Sequence, residues 1–239
     1  MVAKASLIVL AVATAAHAED ARRYTLAELE TLVSQQAFEE ALAHAGDVPP
    51  SQRTQRWTDV TAAAAAGMLA SLTDDGALIL AIDAVDRQFP QLLRTTRYTK
   101  PRGELGLKGL AACWRRSDEC GKLALRFVEG DPRLAIDVAR LAARNEETIA
   151  LSLFFRAFDT KLCTDDQLQR AMLAGLNRDR ESTPATEARS IMLRCWDAAR
   201  PLVLKAFDDA GKRSYVHKNT CDVLAAKNLL SPLQAKRCK

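Results

Sequence analysis

Apolar residues recur along this chain with the spacing of α-helices, and no convincing β-strand pattern is found. Leu134, Val138, Leu141 and Ala142 fall on one stripe of a short helix. The segment 148–158 is apolar nearly all round, which is typical of a helix that is buried on most sides. The pattern predicts about a dozen helices with short links. We therefore expect an all-α fold.

Polar residues mark the starts of several of these helices. Thr25–Glu28 has the pattern of a capping box, in which the threonine and glutamate side chains satisfy backbone N–H groups of the first turn. Thr164–Gln167 has the same pattern. Asp131-Pro132 and Ser231-Pro232 each place a capping oxygen before a proline, whose fixed φ suits the first helical turn.

One longer link interrupts the helical pattern, from Arg94 to Arg102. Two interpretations remain open for it, a docking loop for an acidic partner or a solvated connection between helices. The residues of the candidate partner-binding loop are Arg94, Arg97, Tyr98, Lys100 and Arg102, with Pro101 among them.

Two segments resemble parts of helical-repeat families. Gly130–Arg144 resembles one helix of a HEAT-type repeat, in which an Asp-Pro start precedes an alanine-rich helix. Gln36–Ala43 is similar to a fragment of a tetratricopeptide repeat. The resemblance implies stacked antiparallel helical hairpins in an α-solenoid-like fold that binds another protein on a concave face.

A Cys-Trp pair occurs twice, at Cys113-Trp114 and at Cys195-Trp196, and each pair precedes a leucine-rich segment. The spacing suggests two copies of a helix pair. Amphipathic helices rich in alanine and leucine also resemble one another by composition alone, so duplication and coincidence both stay open.

The N-terminus has the pattern of a signal peptide. A basic start at Lys4 precedes a short apolar run and the small residues Ala16 and Ala18, which predicts cleavage after residue 18. No later stretch has the roughly 18 apolar residues that a membrane span needs. We therefore expect a single helical domain at 19–239, exported to a bacterial periplasm or secreted. The formal net charge of +4 is too small to indicate a nucleic-acid partner.

Six cysteines in an exported chain favour disulfides. Seven residues of unbroken helix span about 10 Å, beyond disulfide reach, so a bond between Cys113 and Cys120 requires a turn between them. For the other two pairs, the chain turns back between consecutive helices. This brings Cys163 near Cys195, and Cys221 near Cys238, at similar positions along the helix axes. We predict bonds in sequence order, which are Cys113 to Cys120, Cys163 to Cys195, and Cys221 to Cys238.

No assembled catalytic, cofactor or metal motif is found, and we predict none. The segment around Glu181 resembles the Glu-Ser stretch of soluble lytic transglycosylases, where one glutamate is the general acid and base. The aromatic residue that follows in that family is Thr183 here, and neighbouring arginines favour an ionised carboxylate. We expect a binding or scaffold protein with another protein as its partner. The alternatives are a peptidoglycan-acting glycosidase or lyase and a structural envelope component.

Overall fold

The computed structural model describes residues 23–114, 119–145 and 149–239. Within these ranges the chain forms thirteen α-helices, five short 3₁₀ helices and no β-strand, which confirms the all-α fold class for this part of the chain. The α-helices are α1 (Leu26–Ser34), α2 (Phe38–His44), α3 (Gln55–Ser71), α4 (Asp75–Gln88), α5 (Thr96–Cys113), α6 (Cys120–Gly130), α7 (Ala135–Arg144), α8 (Ile149–Arg156), α9 (Asp166–Leu176), α10 (Thr183–Arg194), α11 (Trp196–Asp209), α12 (Tyr215–Ala226) and α13 (Pro232–Arg237).

Most of the predicted helix starts are found. Capping boxes begin α1 at Thr25 and α13 at Ser231. Asp131 caps a short 3₁₀ turn, Pro132–Leu134, that leads directly into α7. The capping box predicted at Thr164–Gln167 is wrong, because the carboxylate of Asp165 accepts the first-turn N–H groups of α9. An ionised acceptor makes the stronger hydrogen bond.

The helices pack in the order of the chain. Every substantial helix–helix contact joins elements no more than three helices apart, and α3, α5, α7 and α9 contact one another in succession. One continuous cluster of buried side chains extends from Leu29 in α1 to Leu224 in α12. The short α13 contains no buried residue.

The predicted signal peptide, residues 1–18, lies outside the described residues. The single domain expected for 19–239 remains a prediction. None of the described helices has the length and apolar character that crossing a membrane requires.

The three disulfides join the cysteines in the predicted order. The Cα–Cα distances are 5.8 Å for Cys113–Cys120, 5.2 Å for Cys163–Cys195 and 5.7 Å for Cys221–Cys238, all typical of a disulfide. Ser117 and Asp118, part of the turn expected inside the first bond, lie outside the described residues. The second bond joins a 3₁₀ helix before α9 to the end of α10, and the third joins α12 to the residue after α13.

The two Cys-Trp pairs both lie where one helix ends, but their connections differ. Cys113 bonds forward to a residue 7 positions later, whereas Cys195 bonds back to a residue 32 positions earlier.

We predict that peptide mapping of the oxidised protein without reductant will recover only these three cystine links. The physical reason is that each bond joins cysteines whose Cα atoms lie within 6 Å of each other. A reduced and alkylated sample is the control. Recovery of a Cys113–Cys195 peptide would contradict the fold.

Candidate functional site

The segment Arg94–Arg102, predicted as an irregular link, is helical. Arg94 ends a 3₁₀ helix, and α5 begins two residues later at Thr96. Pro101 lies inside the second turn of α5, where its missing N–H removes one intrahelical hydrogen bond without ending the helix. The prediction of a loop is therefore wrong, and the helix sends its side chains in different directions.

Tyr98 and Arg102 point into the core and are both 0% exposed, so neither can contact a partner. Arg102 forms an ion pair with Asp86 on α4, with 2.6 Å between Nη2 and Oδ2. The Tyr98 hydroxyl donates to the same carboxylate at 2.7 Å. Burial, followed by the charge of Asp86, raises the pKa of Tyr98 well above its usual range.

Arg102 also joins α5 to α6. Its Nη2 donates to the carbonyl oxygen of Phe127 at 2.8 Å, and its guanidinium lies 4.3 Å from the centre of the Phe127 ring. A Cβ atom at Gly130, the last residue of α6, would lie only 2.6 Å from Arg102 Nη2. A larger residue at position 130 would therefore have to displace this guanidinium from its contacts.

Arg94, Arg97 and Lys100 are exposed. The two arginines border one open groove of about 410 Å³ between the start of α3 and the start of α5, and Lys100 lies outside it. No side chain caps the first turn of α5. The lining residues are Gln55, Thr58, Asp59, Gln91, Arg94, Thr95, Thr96 and Arg97.

A second concave region, which we call the C-terminal pocket, was not predicted from the sequence. Its volume is about 300 Å³, and it lies along one face of α12 beside α13. Its lining residues are Arg180, Lys212, His217, Lys218, Cys221, Asp222, Ala225, Leu230, Arg237, Cys238 and Lys239.

Local sequence explains how the chain returns to form this pocket. Asn228 adopts a left-handed conformation with φ of 55° after α12, as asparagine tolerates at a helix end. Ser231 then caps α13, and Cys238 bonds back to Cys221. Arg237 lies over the Phe207 ring at 4.4 Å and donates to the Phe207 carbonyl oxygen at 3.2 Å.

The charges of the C-terminal pocket are unbalanced. Asp222 is its single acidic side chain, and both of its oxygens lie 2.7 Å from the guanidinium of Arg180. This hydrogen bonding raises the pKa of Arg180. Arg237 pairs with Asp208 outside the lining, with 3.5 Å between Nη1 and Oδ1. Lys212, Lys218 and Lys239 have no ion-pair partner within the described part of the chain. The ammonium groups of these lysines are therefore the free charges of the pocket.

His217, on α12, is only 2% exposed. Its ring stacks on Phe207 with centroids 5.0 Å apart, and Nε2 lies 2.9 Å from the Arg237 carbonyl oxygen. Because a carbonyl oxygen only accepts, Nε2 carries a proton and donates it. The contact was missed because Arg237 lies 20 residues further along the chain.

His217, Cys221 and Cys238 are grouped closely enough to hold a metal ion, with ligand atoms within 4.8 Å of one another. Both sulfurs belong to one disulfide, however, and metals bind the thiolate form of cysteine. In the oxidised protein this group therefore offers a single nitrogen and is not a metal site.

Glu181 lies in an exposed turn before α10, where its own N–H donates to Asp179 Oδ1 at 3.0 Å. A general acid needs an apolar environment that keeps it protonated. The Arg189 side chain nearby is engaged by Asn219 and by the Arg180 carbonyl oxygen. Glu181 itself is exposed to solvent.

The chain matches no protein-family model, no curated protein and no solved structure. Any function has to follow from the side chains themselves. Two concave regions of the described part of the chain are lined by cationic side chains without an ion-pair partner there, the Arg94–Arg97 groove and the C-terminal pocket.

We predict that Arg102→Ala will lower the free energy of unfolding by about 3–5 kcal/mol, because it leaves the Asp86 carboxylate half-buried without its cation. Lys100→Ala, an exposed position on the same helix, is the matched control and should change stability little. Urea unfolding followed by circular dichroism measures both. An Arg102→Ala loss no larger than that of Lys100→Ala would show that the ion pair does not hold α4 to α5.

We also predict that Tyr98→Phe will flatten the alkaline decline of stability. Because the folded state holds the Tyr98 proton more tightly than the unfolded state, its contribution is complete below about pH 10 and decreases above it, by up to about 1.4 kcal/mol per pH unit. Urea unfolding between about pH 8 and 11.5 compares the two proteins. Tyr215→Phe, at an exposed tyrosine, is the control. Parallel curves for Tyr98→Phe and the unsubstituted protein would contradict the buried phenol.

Proposed function

We propose that this chain is an exported α-helical binding protein whose Arg94–Arg97 groove holds an acidic segment of a partner protein. The observation that carries the proposal is the pair of exposed arginines that border one groove without an ion-pair partner in the described residues. The rest of the chain serves as the scaffold that fixes this groove.

Export is supported by the signal-peptide pattern of residues 1–18 and by the three disulfides. Disulfides form and persist in oxidising compartments such as a bacterial periplasm or the outside of a cell. We propose one of these compartments as the location of the mature protein.

A scaffold role is supported by the way the helices stack. Each helix makes its main contacts with helices that lie one, two or three places away from it in the order of the chain. An α-solenoid-like stack of antiparallel hairpins, as the HEAT-type and tetratricopeptide resemblances imply, has this local pattern of contacts. We propose that arrangement here. In such stacks the side chains presented on the surface, and not the buried helices, select the partner.

The chemistry of the groove favours a carboxylate-rich ligand. Guanidinium groups bind carboxylates through two parallel hydrogen bonds. The uncapped first turn of α5 adds the positive end of a helix dipole beside Arg97. Asp59, the groove's one acidic side chain, already accepts a hydrogen bond from Gln55 Nε2 at 2.9 Å. An acidic peptide segment therefore meets two free cations.

We predict that Arg94→Glu/Arg97→Glu will weaken binding of a hexaglutamate peptide at least about tenfold, because each lost charged hydrogen bond contributes about 1.5–3 kcal/mol. Isothermal titration calorimetry at low ionic strength measures the dissociation constant. The unsubstituted protein and Arg94→Glu/Arg97→Glu can then each be used as bait in an affinity capture from the native compartment. The partner should be captured by the unsubstituted protein and not by the double variant.

Lys100→Glu/Lys122→Glu is the matched control, since it reverses two exposed lysines outside the groove and changes the net charge equally. Equal weakening by both double variants would show that net charge, and not the groove, attracts the peptide. No measurable binding by the unsubstituted protein would overturn the proposed ligand.

A further inference from the structure

We propose that the C-terminal pocket is a second binding site, independent of the groove, and that it takes the phosphate groups of a small free ligand. The pocket and the groove share no residue. The probe that represents this ligand class is inorganic pyrophosphate.

The concentration of charge is the first observation. Five cationic side chains and one acidic side chain line the pocket. Arg180 pairs with Asp222 and Arg237 pairs with Asp208, which leaves the three lysines unpaired. The whole chain has a formal net charge of +4. The three unpaired lysines of the pocket are therefore a local concentration of positive charge in a chain of small net charge.

The second observation is that the fold holds these like charges together by other contacts. Cys221–Cys238 bonds α12, which carries Lys218, to the segment that carries Arg237 and Lys239. The hydrogen bond from His217 to the Arg237 carbonyl oxygen and the contact of Arg237 with Phe207 tie the same segment down. Self-repulsion destabilises such a cluster. A ligand of opposite charge relieves that repulsion.

The donor set fits phosphate. Each of the three unpaired lysines has an ammonium with three N–H donors and no acceptor. Lysine binds phosphate as a point charge. Phosphate groups have several acceptor oxygens and more charge per volume than a single carboxylate, so they can satisfy several ammonium groups at once.

The shape of the pocket limits the ligand. A volume of about 300 Å³ lies at the small end of ligand pockets. No Phe, Tyr or Trp lines it, whereas proteins that bind single-stranded nucleic acid stack bases on aromatic side chains. A small phosphate compound is therefore the ligand that this lining fits.

The test titrates pyrophosphate into the unsubstituted protein and its variants by calorimetry and follows thermal unfolding in parallel. Lys212→Gln/Lys218→Gln should weaken pyrophosphate binding about 10- to 100-fold, as expected for the loss of charged hydrogen bonds. Lys100→Gln/Lys122→Gln, which removes two exposed lysines outside the pocket, should bind as the unsubstituted protein does.

The thermal unfolding measurement provides a second readout, in which the same variant should gain stability although it loses pyrophosphate binding. Without phosphate and at low ionic strength, Lys212→Gln/Lys218→Gln should have a higher Tm than the unsubstituted protein, because two repelling charges are gone. Pyrophosphate should raise the Tm of the unsubstituted protein and of the control, but not of this variant. A merely unstable variant would lose Tm in both conditions, which would count against the proposal.

Four outcomes would overturn the proposal. They are an equal Tm gain from sodium chloride at matched ionic strength, an equal loss of binding in the control variant, tighter binding of hexaglutamate than of pyrophosphate at this pocket, and binding to phosphatidic acid vesicles without binding to pyrophosphate. Arg94→Glu/Arg97→Glu should bind pyrophosphate normally, so failure of the groove proposal and failure of this one are distinguishable.

Discussion

The buried ion pair between Arg102 and Asp86 is the constraint on which the first half of the structure depends. One guanidinium joins α5 to α4 through Asp86 and to α6 through the Phe127 carbonyl oxygen. A buried charge without a partner is strongly unfavourable, so the three helices have to keep the arrangement that pairs it. The exposed face of the same helix then presents Arg97 to the groove.

An arginine over a phenylalanine occurs again at the other end of the molecule. Arg237 lies over Phe207 and donates to its carbonyl oxygen, as Arg102 does with Phe127. Arg102 precedes its phenylalanine in the chain, whereas Arg237 follows its own. The similarity is therefore one of interaction and not of repeated order. A guanidinium satisfies both a ring face and a carbonyl oxygen, which makes it an effective tie between helices.

The disulfides and the two candidate sites are connected through the position of the charges. The Cys221–Cys238 bond secures a segment whose α13 has no buried residue and could contribute little by packing alone. That segment carries Arg237 and Lys239 to the C-terminal pocket. In the groove, by contrast, ordinary helix packing positions the arginines. The molecule thus places unpaired cations at two separate surfaces by two different means.

The sequence by itself determined what depends on near neighbours. Apolar spacing predicts the helices, the threonine at position 25 and the serine at position 231 predict caps, and turns between nearby cysteines predict the disulfide order. Only the tertiary structure decided which side chains of Arg94–Arg102 are buried and that His217 is covered. Arg102 pairs with Asp86, 16 residues away, and His217 contacts Arg237, 20 residues away. The spacing of apolar residues within one helix does not indicate which distant residues will come into contact. The C-terminal pocket likewise exists only because folding brings charges from separate elements to one place.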